Sequence, residues 1–273
     1  MAFTTIVSEG NLIPTDLLER LAEGELPGQR PADFGLTGNT RITDEIETAW
    51  ADARAFWQAF QRYLRRLPDN ATATSETREH WITPLLESLG YTLTYMPQAE
   101  IVDGRTFEIS HRAGKDQSGP PVVVVGCRLP LDKRPATGRP RLSPHALLQE
   151  YLNSTEHLWG IVTNGERLRL LRDSSLTTRP TYLEFDLRAM LEGEKYTEFA
   201  LLYRLLHRTR LPEGMSDVSR CLLEQYHQQA NDEGGRVRDG LRDGVQEALE
   251  KLGNGFLDHP RNTRLKKALE EGQ

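Results

Sequence analysis

The run of four valines at Val122, Val123, Val124 and Val125 constrains this chain more than any other feature. A strand that is apolar on both faces has to be covered on both, which puts it at the centre of a sheet with helices above and below. The flanking sequence supplies those elements. Upstream, Ile46, Ala49, Trp50, Ala53, Trp57, Phe60, Leu64 and Leu67 recur at spacings of three and four behind Asp44, a candidate cap. That spacing predicts an amphipathic helix whose aromatic stripe enters the core. After the polar loop PDNATAT, Ser75 is placed to cap a second helix reaching Gly90, with Thr83-Pro84 as either a kink or a fresh start. Residues 91–96 (YTLTYM), 105–112 (RTFEISHR) and 122–128 (VVVVGCR) then read as three strands separated by turn-forming segments.

Downstream, Ser143-Pro144 is a cap followed by a first-turn proline, opening a helix over SPHALLQEYLNSTE. LWGIVT, Asn164-Gly165 and ERLRLLRD form the strongest hairpin signal in the sequence. A strand, TYLEFD, and a helix through Phe199, Leu202 and Leu206 end this unit near Pro212. The order of helix, three strands, helix, hairpin and strand predicts an α/β sandwich around a mixed sheet flanked by helices.

Three regions follow. Residues 22–40 carry Gly24, Pro27, Gly28, Pro31, Gly35 and Gly38 with few apolar anchors, so residues 1–40 read as an irregular N-terminal arm. Residues 41–212 form the α/β domain, and residues 213–273 a helical connector. In the connector, Val237, Leu241, Val245, Leu249 and Leu252 make an apolar seam on a charged helix weakened by Gly240 and Gly244. Such a seam calls for a surface to pack on, in a partner or in further sequence, or else back onto residues 46–67 or 218–226.

The two cysteines, Cys127 and Cys221, have no zinc-ligand or disulfide spacing. With no export signal and no run of about 18 apolar residues, the chain reads as cytoplasmic and not membrane-bound. A formal net charge of -6 argues against a general polyanion binder, so any nucleic-acid surface has to be a local cluster.

The element order resembles the PD-(D/E)xK restriction-endonuclease fold, in which an acid opens one strand and an E-x-K closes the next. In that fold the two carboxylates hold Mg²⁺ and the lysine orients the attacking water. Here the triplet falls on Gly126, Cys127 and Arg128, which offers no carboxylate, and the first acid is Glu108 or is replaced by Ser110. The stretch SPHALLQEYLNSTEHLWGIVTNGERLRLLRD, continued by TYLEFDLRAMLEGEKYTEFALLYRLLHRTRLP, resembles the N-terminal region of the large adenine DNA methyltransferases of DISARM anti-phage defence and type IIG restriction-modification systems. It is also similar to part of the type I restriction motor subunits, where a glutamine on the covering helix, here Gln149, lies near the nuclease site. The glycine-rich and N-P-P-Y motifs of the methyltransferase part are absent. The resemblance therefore implies a module that works with a separate or downstream methyltransferase, and with helicase-type defence subunits, on double-stranded DNA.

Arg128, Lys133, Arg134, Arg139 and Arg141 lie in and around the loop RLPLDKRPATGRPRL and are the candidate phosphate contacts, against the plain reading of a solvated loop. His145 and Gln149 stand one helical turn apart, which suits a shared site or ordinary packing. His111, a lone histidine at a strand end, and Asn164-Gly165, a turn, read as structural. Arg167, Arg169 and Arg172 alternate with leucines as either a solvated face or a second phosphate track. Cys127 reads as a buried small hydrophobe.

Three functions remain open. The first is a DNA-binding and assembly module without catalysis and without cofactor. The second is an Mg²⁺-dependent endonuclease with displaced acids, Glu108 with Asp132 or Glu150. The third is a protein-only interaction domain using the connector seam.

Overall fold

A computed structural model describes residues 3–114, 118–135, 141–175 and 180–271. The chain divides into two compact units, residues 1–227 and 228–273. In chain order the first unit begins with β1 (Ile6–Glu9), α1 (Thr15–Ala22) and α2 (Ile42–Leu64). Next come α3 (Thr74–Thr77), a π-helical turn (Arg78–Ile82), α4 (Thr83–Ser88), β2 (Leu93–Tyr95), β3 (Glu100–Val102), β4 (Arg105–Phe107), β5 (His111–Ala113) and β6 (Pro121–Val124). The remainder is α5 (Pro144–Asn153), β7 (Trp159–Thr163), β8 (Arg167–Arg172), β9 (Tyr182–Asp186), α6 (Leu187–Glu192), α7 (Tyr196–Leu206) and α8 (Leu222–Asp258), which runs on into the second unit, followed by α9 (Thr263–Glu270).

The sheet is mixed and has seven strands in the order β1-β9-β8-β7-β6-β5-β2. Only β6 and β7 run parallel, and α5 makes the crossover between them. Val123 pairs with Val162, and together with Leu171, Phe107, Ile109 and the α5 residues Leu148 and Leu152 it forms one buried cluster. On the other face Val122, Val124, Ile161, Leu168, Leu170, Leu183 and Phe185 are all buried. The valine run is thus covered on both faces, as its composition predicts.

The α2 stripe is as predicted, with Ile46, Ala49, Ala53, Trp57 and Phe60 all buried, although Asp44 sits inside the first turn and makes no cap. Likewise Ser75 lies within α3, which starts after Ala73 in the left-handed region. At α5 the prediction holds in detail, since Ser143 Oγ accepts the Ala146 N–H and Pro144 fills the first turn. The Asn164-Gly165 turn differs from a plain two-residue hairpin loop. Asn164 Oδ1 accepts the N–H groups of Glu166 and Arg167 at 3.1 and 2.8 Å, while Gly165 takes φ +83°. Its Nδ2 reaches out to the Leu129 carbonyl at 3.0 Å, tying the hairpin to the loop after β6.

Three expectations are corrected. Residues 1–40 are not an irregular arm throughout: β1 pairs with β9 along Ile6 to Glu9, and Leu17, Leu18 and Leu21 of α1 are buried. Four residues are too few to announce a strand by alternation. The segment RTFEISHR is not one strand either. Its first part, β4, pairs with β3 in a separate hairpin, and only its end, β5, joins the main sheet. The compact first unit extends beyond residue 212 to His227, because Leu223 and Tyr226 of α8 are buried and Glu224 accepts from Arg172 and Trp159.

Candidate functional site

At the C-terminal end of β6 lies a cleft of about 880 Å³. Its walls come from residues 69–74, from Tyr95 to Ala99 after β2, from Glu108, Ile109 and Ser110, and from Val123 to Gly126. Arg78, Arg128 and Leu129 complete it, with Pro135 and Leu142 from the loop before α5.

The triplet Gly126, Cys127 and Arg128, on which the nuclease resemblance would set its E-x-K, acts as a clasp. Any Cβ on Gly126 would come within 1.9 Å of the Thr72 carbonyl oxygen, so the position accepts only glycine. The Cys127 N–H donates to Thr77 Oγ1 at 3.1 Å, and burial pushes its thiol up. Arg128 Nη1 donates to the carbonyls of Pro68 and Ala71. Together the three residues hold the end of β6 against α3 and the segment that leads into it. Arg128 is therefore a tether for residues 68–71, although it remains exposed.

On the opposite wall, Ser110 Oγ donates to the Val122 carbonyl at 3.0 Å and accepts the Val124 N–H at 2.8 Å. His111 Nδ1 lies 2.9 Å from the same oxygen. With the hydroxyl proton committed to Val122, the imidazole is the donor in that contact. Burial first, and the Arg78 guanidinium second, lower His111 to about 4, so it is neutral at physiological pH. Arg78 lies 4.7 Å over the ring of Tyr95 and pairs with Glu79 at 2.9 Å.

Glu108 is exposed on this wall and, with Asp69, is one of two acids in the lining. The other acids considered are elsewhere. Asp132 is held by Arg169 through two bonds of 2.6 and 2.8 Å, and that bond is the main reason its carboxyl titrates low. Glu150 pairs with Arg105. Gln149 donates to Asn153 Oδ1 and to the Arg172 carbonyl, both at 3.0 Å, and does not line the cleft. Among the described residues no group of three or more His, Cys, Asp or Glu is arranged to hold a metal ion. The β6 positions facing Ser110 are valines, so the donor set does not fit the two-carboxylate Mg²⁺ site of the nuclease fold.

The cations of the loop bordering the cleft divide into two kinds. Lys133, Arg134 and Arg141 are exposed and form no ion pair among the described residues. Arg139 lies outside the described residues. By contrast, each arginine of β8 is paired with an acid, although Arg167 is itself exposed. Arg167 pairs with Glu184 and Asp186, the buried Arg169 with Glu184 and Asp132, and Arg172 with Glu224. His145 joins this network, 3.2 Å from Arg169 and edge-on to Tyr182.

No sequence pattern points to Asp69, Arg78 or Tyr95, which come from a polar loop, a helical turn and a short strand and meet only through the fold. No helix among the described residues is long and apolar enough to cross a membrane. No protein-family model matches the chain, and no match was found among curated proteins or solved structures.

Proposed function

We propose that this chain is a DNA-binding and assembly module of a bacterial restriction-modification or DISARM-like anti-phage defence system, built on a PD-(D/E)xK-like scaffold that no longer cuts. It would act in the cytoplasm on double-stranded DNA and position a DNA methyltransferase, with helicase-type subunits as further partners. The observation that carries this reading is topological. Strands β2, β5 and β6 form an antiparallel series, α5 crosses over, and β7 returns parallel to β6, with the cleft at the end of β6. With the β3–β4 hairpin set aside, this order resembles the helix-strand-strand-strand-helix-strand order of the nuclease core, and fold alone carries no activity.

Binding rather than cleavage is favoured by the lining. Valines and a glycine clasp stand where the metal-binding acid belongs, while Lys133, Arg134 and Arg141 leave their charges exposed beside the cleft. The exposed seam of α8, from Val237 to Leu252, is the contact assigned to the methyltransferase. The second reading, an Mg²⁺-dependent endonuclease with displaced acids, now rests on Asp69 and Glu108, which share the cleft, and not on Asp132 or Glu150.

The test is incubation of plasmid and linear duplex with the full chain in Mg²⁺ or Mn²⁺. The proposal expects retarded DNA of unchanged length. Nicking that disappears in both Asp69→Asn and Glu108→Gln would establish the second reading instead.

A further inference from the structure

At the other end of β6 from the cleft, Gly114, Ser118 and Gly119 border a second cavity of about 710 Å³ that shares no described lining residue with the first. Arg208, Arg210 and Arg220 all line it. Arg210 is the anomaly. It is 1% exposed, its Nε and Nη2 make no hydrogen bond, and among the described residues no carboxylate pairs with it. Its guanidinium carbon sits 3.7 Å from the centre of the Phe34 ring, which supplies a face but no hydrogen-bond acceptor. Burial lowers Arg210 to about 10, so it still carries its proton at neutral pH.

A buried charge is ordinarily paired, and an arginine cannot escape the cost by deprotonating at neutral pH. The acids nearby hydrogen-bond to backbone groups, and Asp33 reaches Arg210 through its charge and not through a bond. Asp33 accepts the Arg30 N–H at 2.9 Å, and Asp217 accepts those of Glu213 and Gly214 at 2.9 and 3.0 Å. Glu213 is exposed. Beside Arg210 the chain is closely packed at Gly28, where a Cβ would stand 2.4 Å from Leu222 Cδ2 and 3.1 Å from Nη1.

We infer that this cavity is an oxyanion site in which Arg210 is the anchor and Arg208 and Arg220 are further contacts for a phosphate group, free or carried by a nucleotide. Three guanidinium groups suit a dianion with several acceptor oxygens better than a single carboxylate. The cavity is also larger than a phosphate ion needs, leaving room for a nucleoside. This site is independent of the DNA-binding reading.

The experiment is thermal unfolding of the full chain in sodium phosphate, in AMP, and in sodium chloride at matched ionic strength. Phosphate and AMP should raise the midpoint temperature saturably where chloride does not. A midpoint at least tenfold lower for AMP assigns the phosphate to a nucleotide, and equal midpoints assign it to the free ion. Arg210→Met should abolish the response and unfold no earlier than the parent in chloride, since it removes a buried charge that no carboxylate hydrogen-bonds. Arg220→Ala, at an exposed position, should raise the phosphate concentration needed by about threefold or more. No phosphate-specific rise, an undiminished rise in Arg210→Met, or an unchanged midpoint in Arg220→Ala would overturn the assignment.

Discussion

The Ser110 hydroxyl accepts the Val124 N–H at 2.8 Å, so a side chain completes the β5–β6 ladder at the wall of the cleft. Ser110, the alternative to Glu108 as the first acid position under the nuclease resemblance, is thus used to hold the central strand. Ser110→Ala would leave the Val124 N–H without a partner next to buried valines, and it should cost about 1–3 kcal/mol of stability. Urea denaturation measures this. A loss below about 0.5 kcal/mol would mean that the bond contributes little.

Arg169 and Glu184 are both buried on the α5 face, whereas Asp132, the second partner of Arg169, is exposed. Removing Glu184 leaves the buried Arg169 with only the exposed Asp132 as a partner, so Glu184→Ala should destabilise by up to about 3–5 kcal/mol. Asp132→Ala should cost about 1 kcal/mol or less, because Glu184 remains and the exposed carboxylate is screened. If Asp132 were instead a metal ligand, Mg²⁺ would stabilise the parent chain and not Asp132→Ala. The expected result is no such difference.

What the sequence made legible follows from how locally each feature is encoded. The α2 stripe, the Ser143-Pro144 start and the β7–β8 hairpin depend on neighbouring residues, and each is found near its predicted place. β1 and the split of RTFEISHR into β4 and β5 depend on partners far along the chain, so periodicity could not reveal them. For the site, the absence of an E-x-K was readable, but the reason was not. Gly126 is needed because Thr72 passes 1.9 Å from where a Cβ would be, a contact between segments more than fifty residues apart. The β8 arginines show the same limit, since their acid partners lie on β9, on α8 and in the loop before α5.

Acid should weaken the fold before carboxylates titrate. Burial lowers His111 and His207 to about 4 from an ordinary value of 6.5. Between pH 6.5 and 4 the unfolded chain therefore binds protons that the folded chain refuses, and stability falls as the pH drops. Below about pH 4 the folded histidines also protonate and this loss levels off. Denaturation midpoints measured from pH 7.5 to 4 should decline through this window, and less steeply in a His207→Gln variant. A curve unchanged by that variant would remove His207 from the account.

In the second unit, Val237, Leu241, Val245, Leu249 and Leu252 are each more than half exposed. Gly240 and Gly244 weaken the same stretch by about 1 kcal/mol each relative to alanine. Its amides should exchange faster than those of β6, β7 and β8 in a dilute solution of the chain, and should slow when a methyltransferase partner is added. Slow exchange throughout this stretch in the isolated monomer would argue against a role as connector.

The central claim is that this scaffold holds DNA without cutting it, and the most direct test is the salt dependence of duplex binding in the presence of Mg²⁺. Log affinity should fall linearly with log salt for the parent chain, and charge removal at Lys133, Arg134 and Arg141 together should flatten the slope by up to about three. The same samples run on a gel should contain intact DNA. Binding without a salt slope, an unchanged slope in the triple variant, or cleaved duplex in the parent lane would contradict it.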